Sequence, residues 1–297
     1  MLPTHRPPMD TRRRIERALK TCLELASAPP CPPHLARALR HAVFPGGARF
    51  RPTLCLTVAS ACGDAHPVLI EAAAVAVELL HCASLVYDDL PCFDDAAVRR
   101  GRPSVHVAHG EELAILAGNA LIVQAFDSLA RSATTAPQLL PGLIRVIARG
   151  VGTPAGIAAG QAWESEQKPD LGTYHRAKTG ALFESAIIAG ALAGGGDPLQ
   201  WTGLGHRLGE AYQVADDLRD ADGRADLLGK PVHQDTALSR PSAVRELGHA
   251  GALARLEALC DEVVDRLPAC AGRHELMTFV RDWQARHQPP ARAATAN

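Results

Sequence analysis

Apolar residues recur at helical spacing along nearly the whole chain, and this pattern limits the possible folds more than any other feature. Ile15, Leu19, Cys22 and Leu23 form one such stripe; Leu113, Leu116, Ala117, Leu121 and Ala125 form another; Leu253, Leu256, Leu259, Val263 and Leu267 form a third. No segment shows sustained alternation of apolar and polar residues, as a half-buried strand would. Breaks rich in Gly and Pro, among them Pro29 to Pro33, Pro45 to Gly47, Gly101 to Pro103, Pro137 to Gly142 and Gly223 to Pro231, divide the chain into about ten helices. With only 3 Trp, 3 Tyr and 6 Phe, the chain lacks the aromatic content of a sandwich or barrel. No repeat of solenoid length is present. The expectation is an all-α, large single domain over residues 1–287, followed by a tail, 288–297, too poor in core-forming residues to be ordered.

Charge and cysteine usage narrow the function. The 31 Lys+Arg and 32 Asp+Glu leave a formal net charge of −1, so no global basic field exists to hold nucleic acid or an anionic membrane. The 8 cysteines include no CxxC pair and lie mostly in apolar segments, as reduced buried thiols do. The basic Met1 to Arg14 stretch leads into the amphipathic Ile15 to Leu25 with no apolar signal core. Glu78 and His81 interrupt the apolar run Ala72 to Tyr87, and Ala186 to Gly196 is short and Gly-rich, so neither is expected to insert stably in a bilayer. A soluble, cytoplasmic protein is expected.

Two acidic clusters carry the chemistry. Asp88, Asp89, Asp94 and Asp95 follow an apolar helix, where their mutual repulsion and the negative end of the helix dipole are unfavourable without a cation. Oxygen ligands alone select a hard ion such as Mg²⁺, which keeps several waters and commonly bridges to phosphate. Pro91 interrupts the helix and lets Asp94 swing back toward Asp88, since a six-residue offset on an ideal helix leaves them roughly 120° apart. The second cluster is Asp216-Asp217-Leu218-Arg219-Asp220, with Asp216 and Asp220 on one helix face at i and i+4. Arg99, Arg100, Lys178 and Lys230 accompany the clusters. Acid and base converging on one site imply bound phosphate bridged by metal.

These segments, together with Gly46-Gly47-Ala48-Arg49-Phe50-Arg51-Pro52, Lys178-Thr179-Gly180-Ala181-Leu182 and Gln213-Val214-Ala215-Asp216, resemble the trans-isoprenyl diphosphate synthases. They occur in that family's order and spacing from about residue 35 to 240. Pro45 to Arg49, His81 to Leu85 and Ala159 to Glu164 are worded most like geranylgeranyl diphosphate synthases of carotenoid pathways in purple photosynthetic bacteria. The resemblance implies a homodimer of mostly antiparallel helices around a deep central cavity. It also implies head-to-tail prenyl transfer from a dimethylallyl, geranyl or farnesyl diphosphate to isopentenyl diphosphate. By carry-over, Asp88, Asp89, Asp94, Asp216 and Asp220 would hold about three Mg²⁺, for which Mn²⁺ could substitute, with Asp217 part of the same catalytic cluster. Arg99, Lys178 and Lys230 would neutralise the allylic diphosphate, Thr179 and Gln213 would line its site, and Arg51, Arg100 and His81 would bind the isopentenyl diphosphate.

Three departures from the family pattern stand out. Ala48 replaces a Lys, no Lys stands near Ala237 although Arg240 follows, and Glu164 occupies an Asp position as a longer carboxylate still able to ligate Mg²⁺. Family members that stop at farnesyl diphosphate carry an aromatic four or five residues before the first cluster. Here those residues are Ser84 and Ala83, so the cavity floor should lie deeper, toward Leu80 and Ile122 to Phe126, and the expected product is geranylgeranyl diphosphate. Four rival readings remain at this point. They are a farnesyl diphosphate synthase, a class I terpene cyclase, a non-catalytic partner subunit, and a di-iron bundle built on Glu78-x-x-His81 and Glu246-x-x-His249. His106 and His109 read as a polar helix edge, and Trp163, Trp201 and Trp283 as packing residues.

Overall fold

A computed structural model describes residues 8–167, 170–222 and 242–287. Lys230, Ala237, Arg240 and the expected tail 288–297 lie outside the described residues. Among the described residues the regular structure is helical apart from one short hairpin. Helices α1 (Pro8–Ala26), α2 (Pro33–Val43), α3 (Phe50–Cys62) and α4 (Pro67–Asp88) precede the hairpin β1 (Val98–Arg99) and β2 (Arg102–Pro103). Then come α5 (Val105–His109), α6 (Glu111–Ser132), α7 (Leu140–Val151), α8 (Ile157–Ala162), α9 (Leu171–His175), a π-turn (Arg176–Gly180) and α10 (Ala181–Gly194). Helices α11 (Leu204–Ala221), α12 (Ala243–Asp265) and α13 (Arg273–His287) complete the described chain.

The stripes predicted from spacing are the buried ones. Ile15, Leu19, Cys22 and Leu23 seat α1 on the core, and Leu256, Leu259 and Val263 do the same for α12. Leu116 differs: it is 52% exposed, on a face of α6 that also shows Ile115 at 43% and Val123 at 68%. The core has two apolar clusters. One joins one face of α3 to α1, α2, α4, α6 and α7; the other joins the opposite face of α3 to α11, α12 and α13. Helix α10 belongs to both, with Leu182, Ala186 and Ala189 in the first and Phe183, Ile187 and Ala191 in the second. This shared helix ties the halves together, while the last turns of α4 and the second half of α11 border a polar gap between them.

Among the described residues two helices are long and apolar enough to cross a membrane by length and composition alone, α4 and the α6 region. Helix α4 is a core helix, with 72% of its most apolar window buried within the protein. All eight cysteines are free thiols, and Cys22, Cys55, Cys82 and Cys260 are buried.

Candidate active site

The gap is a cavity of about 630 Å³. Its walls come from six places in the chain, α8 with Ile157 and Gln161 among them. Helix α4 contributes Glu78, His81, Ser84, Leu85 and Asp88, the single face that recurs at three- and four-residue steps. It stops at Asp88, and Asp94 N–H then donates to the Asp88 carbonyl at 2.9 Å, so the chain turns back as Pro91 led us to expect. The hairpin has a two-residue loop, Arg100-Gly101, with φ of 55° and 71°. Both values are positive, as in a type I′ turn, and glycine carries the second without strain. This tight turn sends Arg99 to Asp89 and Arg100 toward Gly47 and the cavity.

Lys178 and Thr179 sit on the π-turn, a widened helical turn of the kind common at functional sites. Helix α8 packs directly on it: a side chain at Gly160 would come within 2.3 Å of the Lys178 amide nitrogen. From α11, Tyr212, Gln213, Asp216 and Arg219 share one face and line the opposite wall. The loop before α3 supplies Gly47, Ala48 and Arg49, and the first turn of α3 supplies Phe50 and Arg51.

Charge is distributed unevenly in this cavity. On the acidic side Asp88, Asp89, Glu164 and Asp216 are each held by a cation. Arg99 Nε donates to Asp89 Oδ1 at 2.8 Å and lies 3.7 Å from Asp88. Lys178 is 3.6 Å from Asp88 and also contacts Glu164, while Arg219 pairs with Asp216. Burial pushes the Asp88 carboxyl above its ordinary range; Lys178 pulls it back and the nearby Asp94 raises it further. Burial also raises Asp89, against the pull of Arg99. On the other side, Arg51 and Arg100 have no carboxylate partner among the described residues, and Arg51 Nε is buried without a hydrogen bond. Arg51 is held instead by aromatic faces, its guanidinium carbon 4.4 Å from the Phe183 ring centre and 5.5 Å from that of Tyr212.

Several residues are not where the sequence reading put them. Asp217 is 5% exposed and turned from the cavity, accepting from Gln213 Nε2 at 3.0 Å and from the Ala243 N–H at 2.7 Å. Its place is a structural tie between α11 and α12. Glu164 accepts from Gln161 at 2.6 Å, from the Tyr174 hydroxyl at 2.7 Å and from Lys178, which makes it a holder of Lys178 in this arrangement. Ala83 is 2% exposed and packed in the core; among the two chain-length candidates only Ser84 lines the cavity. Leu80 is likewise core, and Ile122 and Phe126 pack against it.

His81 lies 3.3 Å from an Arg51 nitrogen. Burial, reinforced by Arg51, Arg100, Arg99 and Arg49, keeps the imidazole uncharged to well below the ordinary histidine range. A neutral ring accepting from Arg51 orients that cation, and its Nε2 has no proton to offer an anion. Arg49, the neighbour best placed in sequence to stand in for a lysine at Ala48, is committed elsewhere. It is 2% exposed, donates to Glu78 at 2.6 Å, to Glu16 at 2.9 Å and to the Val43 carbonyl at 2.8 Å. Thr179 donates to Gln213 at 3.3 Å, so these two do meet at the cavity wall. Asp220 is buried one turn beyond Asp216, 9% exposed, and is not among the lining residues.

A polyprenyl synthetase family model matches residues 32–261, more than half of the chain. The chain belongs to the polyprenyl synthetase family. It is 51% identical, over 96% of its length and 99% of the relative's, to a geranylgeranyl diphosphate synthase of Cereibacter sphaeroides. It is 48% identical, over 92% of its length and 94% of the relative's, to a geranylgeranyl diphosphate synthase of Rhodobacter capsulatus. Among solved structures, a geranyltransferase from Helicobacter pylori complexed with magnesium and isoprenyl diphosphate superposes with a TM-score of 0.78 at 26% identity, covering 96% of this chain and 100% of that one.

As a member of this family the chain has the all-α isoprenoid synthase architecture, and the cavity gathers most of the motifs that suggested it. The di-iron alternative loses its ligands: Glu78 is bound to Arg49, and Gly248, at φ 70°, breaks the helix between Glu246 and His249. His109 meets His41 at 2.9 Å and His106 meets Ser104 at 3.1 Å, so the pair forms an edge of polar contacts. Sequence reasoning passed over Tyr212, Arg219 and the Arg49–Glu16–Glu78 group. The first two were available from spacing, since Tyr212, Asp216 and Arg219 follow the i, i+4, i+7 pattern of one helix face.

Proposed function

We propose that the protein condenses isopentenyl diphosphate with an allylic diphosphate to give geranylgeranyl diphosphate and free diphosphate. The observation that carries this reading is the division of one cavity into an acid–cation side and a side with uncompensated arginines, which suits two diphosphates bound in different ways. Arg51 and Arg100 would take the isopentenyl diphosphate directly. Arg99 and Lys178 would neutralise the allylic diphosphate, with Thr179 and Gln213 at its edge.

The donor set fits a hard divalent cation. Asp88 and Asp216 offer only oxygen, and Asp88 Oδ1 is buried without a hydrogen-bond partner. Among the described residues no three acidic, His or Cys side chains form a ready-made cage, so the ion would complete its shell with diphosphate oxygens and water. Mg²⁺ bound there would draw charge from the departing diphosphate. Asp88, Asp89, Asp94, Asp216 and Asp220 are its proposed holders, and Asp217 and Glu164 their supports. Once the allylic carbon is freed, the isopentenyl double bond attacks it and a proton leaves, most simply to the released diphosphate; no protein nucleophile is required.

Ser84 leaves the wall beneath the diphosphates open, which supports a product longer than farnesyl diphosphate. The exposed apolar stripe of Ile115, Leu116 and Val123 supports pairing with a second copy through α6. The charge balance suits a cytoplasmic enzyme, and the relatives' names support a place in isoprenoid synthesis. The test is to incubate purified protein with Mg²⁺, isopentenyl diphosphate and dimethylallyl, geranyl or farnesyl diphosphate in turn. Geranylgeranyl diphosphate as the main product supports the reading; farnesyl diphosphate alone, or no condensation, contradicts it.

A further inference from the structure

Among the described residues, Arg219 is the cavity cation that lies on a carboxylate of the acidic side and also on the Tyr212 ring shared with Arg51. Its guanidinium lies on Asp216, and its Nε donates to the Ala215 carbonyl at 3.2 Å. Its Cζ is also 5.9 Å from the centre of the Tyr212 ring, the ring whose centre is 5.5 Å from Arg51 Cζ. The side chain is 14% exposed and lines the cavity with Ala48 and Arg51. A guanidinium this desolvated needs an anion, and Asp216 is the one it holds.

We propose that Arg219 is a transferable counter-ion: it occupies Asp216 until a divalent cation takes that carboxylate, then turns across Tyr212 onto the isopentenyl diphosphate beside Arg51. The proposal rests on the function given above. It assigns a substrate-binding residue on the wall where Ala48 offers no charge and Arg49 is committed to Glu78 and Glu16. It also explains why an arginine sits inside an acidic cluster. An arginine that competes with a metal for Asp216 would be a handicap unless, once displaced, it gained a second anion.

The two roles have opposite signs, which a merely structural residue could not reproduce. Calorimetric titration of Arg219→Gln with Mg²⁺ alone should show binding about tenfold tighter than wild type, because the competitor for Asp216 is gone. Titration with isopentenyl diphosphate at saturating Mg²⁺, with no allylic substrate and so no reaction, should show binding about tenfold weaker. In excess chelator, where Asp216 keeps Arg219, the variant and wild type should bind isopentenyl diphosphate within about twofold of each other.

Arg219→Lys keeps the charge with a shorter reach and guards against a folding defect in the glutamine variant. It should leave Mg²⁺ affinity within about threefold of wild type and weaken isopentenyl diphosphate binding about threefold. Shifts of the same sign in the two ligands, no shift in either, or unimpaired isopentenyl diphosphate binding in Arg219→Lys would overturn the proposal while leaving the condensation activity intact. A wild-type protein that bound neither ligand would overturn this proposal and the function together.

Discussion

The two sides of the cavity hold similar cations in opposite circumstances. Arg99, Lys178 and Arg219 each rest on a carboxylate, while Arg51 rests on aromatic rings and a neutral histidine, and Arg100 has no carboxylate partner among the described residues. A cation already paired gains little from an incoming anion until its carboxylate finds another partner. A desolvated cation without a carboxylate gains at once. On the function proposed above, one side would take a diphosphate as it stands and the other would do so only once a divalent ion takes the carboxylates.

The largest expected effect breaks the acidic side outright. Asp88→Ala or Asp216→Ala should lower kcat by on the order of 10³-fold, with the helical circular dichroism spectrum retained. Next, Arg51→Ala should raise the KM for isopentenyl diphosphate by about 10 to 100-fold with little change for the allylic substrate, whereas Arg99→Ala should do the reverse. Steady-state kinetics with each substrate varied separately checks both, and identical effects would erase the division. Glu78 separates a paired cation that serves binding from one that serves folding. Its side chain and that of Arg49 are 2% and 0% exposed, so Glu78→Leu should cost about 1–3 kcal/mol in urea unfolding by removing the buried one of the two carboxylates that hold the guanidinium.

Smaller effects sharpen the picture. His81 binds a proton less readily in the folded protein than its ordinary value of 6.5, so the folded state takes up fewer protons than the unfolded one. The stability it contributes is therefore intact above that value and declines as pH falls below it. Urea midpoints measured downward from neutral pH should show this decline, reduced in His81→Gln. Ser84→Tyr should shorten the product toward farnesyl diphosphate by chromatography. Ala83→Tyr should instead destabilise the fold by about 1–3 kcal/mol, because it overpacks the core without reaching the cavity.

Helix content, the α1 and α12 stripes and the return of Asp94 to Asp88 were legible because each follows from local rules of spacing and proline. Residue types at the site were legible too, since clustered like charges demand a partner wherever they fall. Orientation was not. Asp216 and Asp217 are adjacent, yet a 100° step turns one into the cavity and the other onto the Ala243 amide. Likewise Ser84 and Ala83 part company on α4, one facing the gap and the other the core. Arg49 reads as a candidate substrate ligand until its carboxylates appear from α1 and α4, 33 and 29 residues away.

The most direct test of the divided site is to measure calorimetrically the binding of isopentenyl diphosphate alone and of geranyl diphosphate alone, each with saturating Mg²⁺ and with excess chelator. Neither ligand can condense without the other. Chelation should weaken isopentenyl diphosphate by no more than about tenfold, the share that depends on releasing Arg219, and weaken geranyl diphosphate by at least about a hundredfold. Equal losses for the two ligands would contradict the account, because they would mean that both sides of the cavity depend on metal alike.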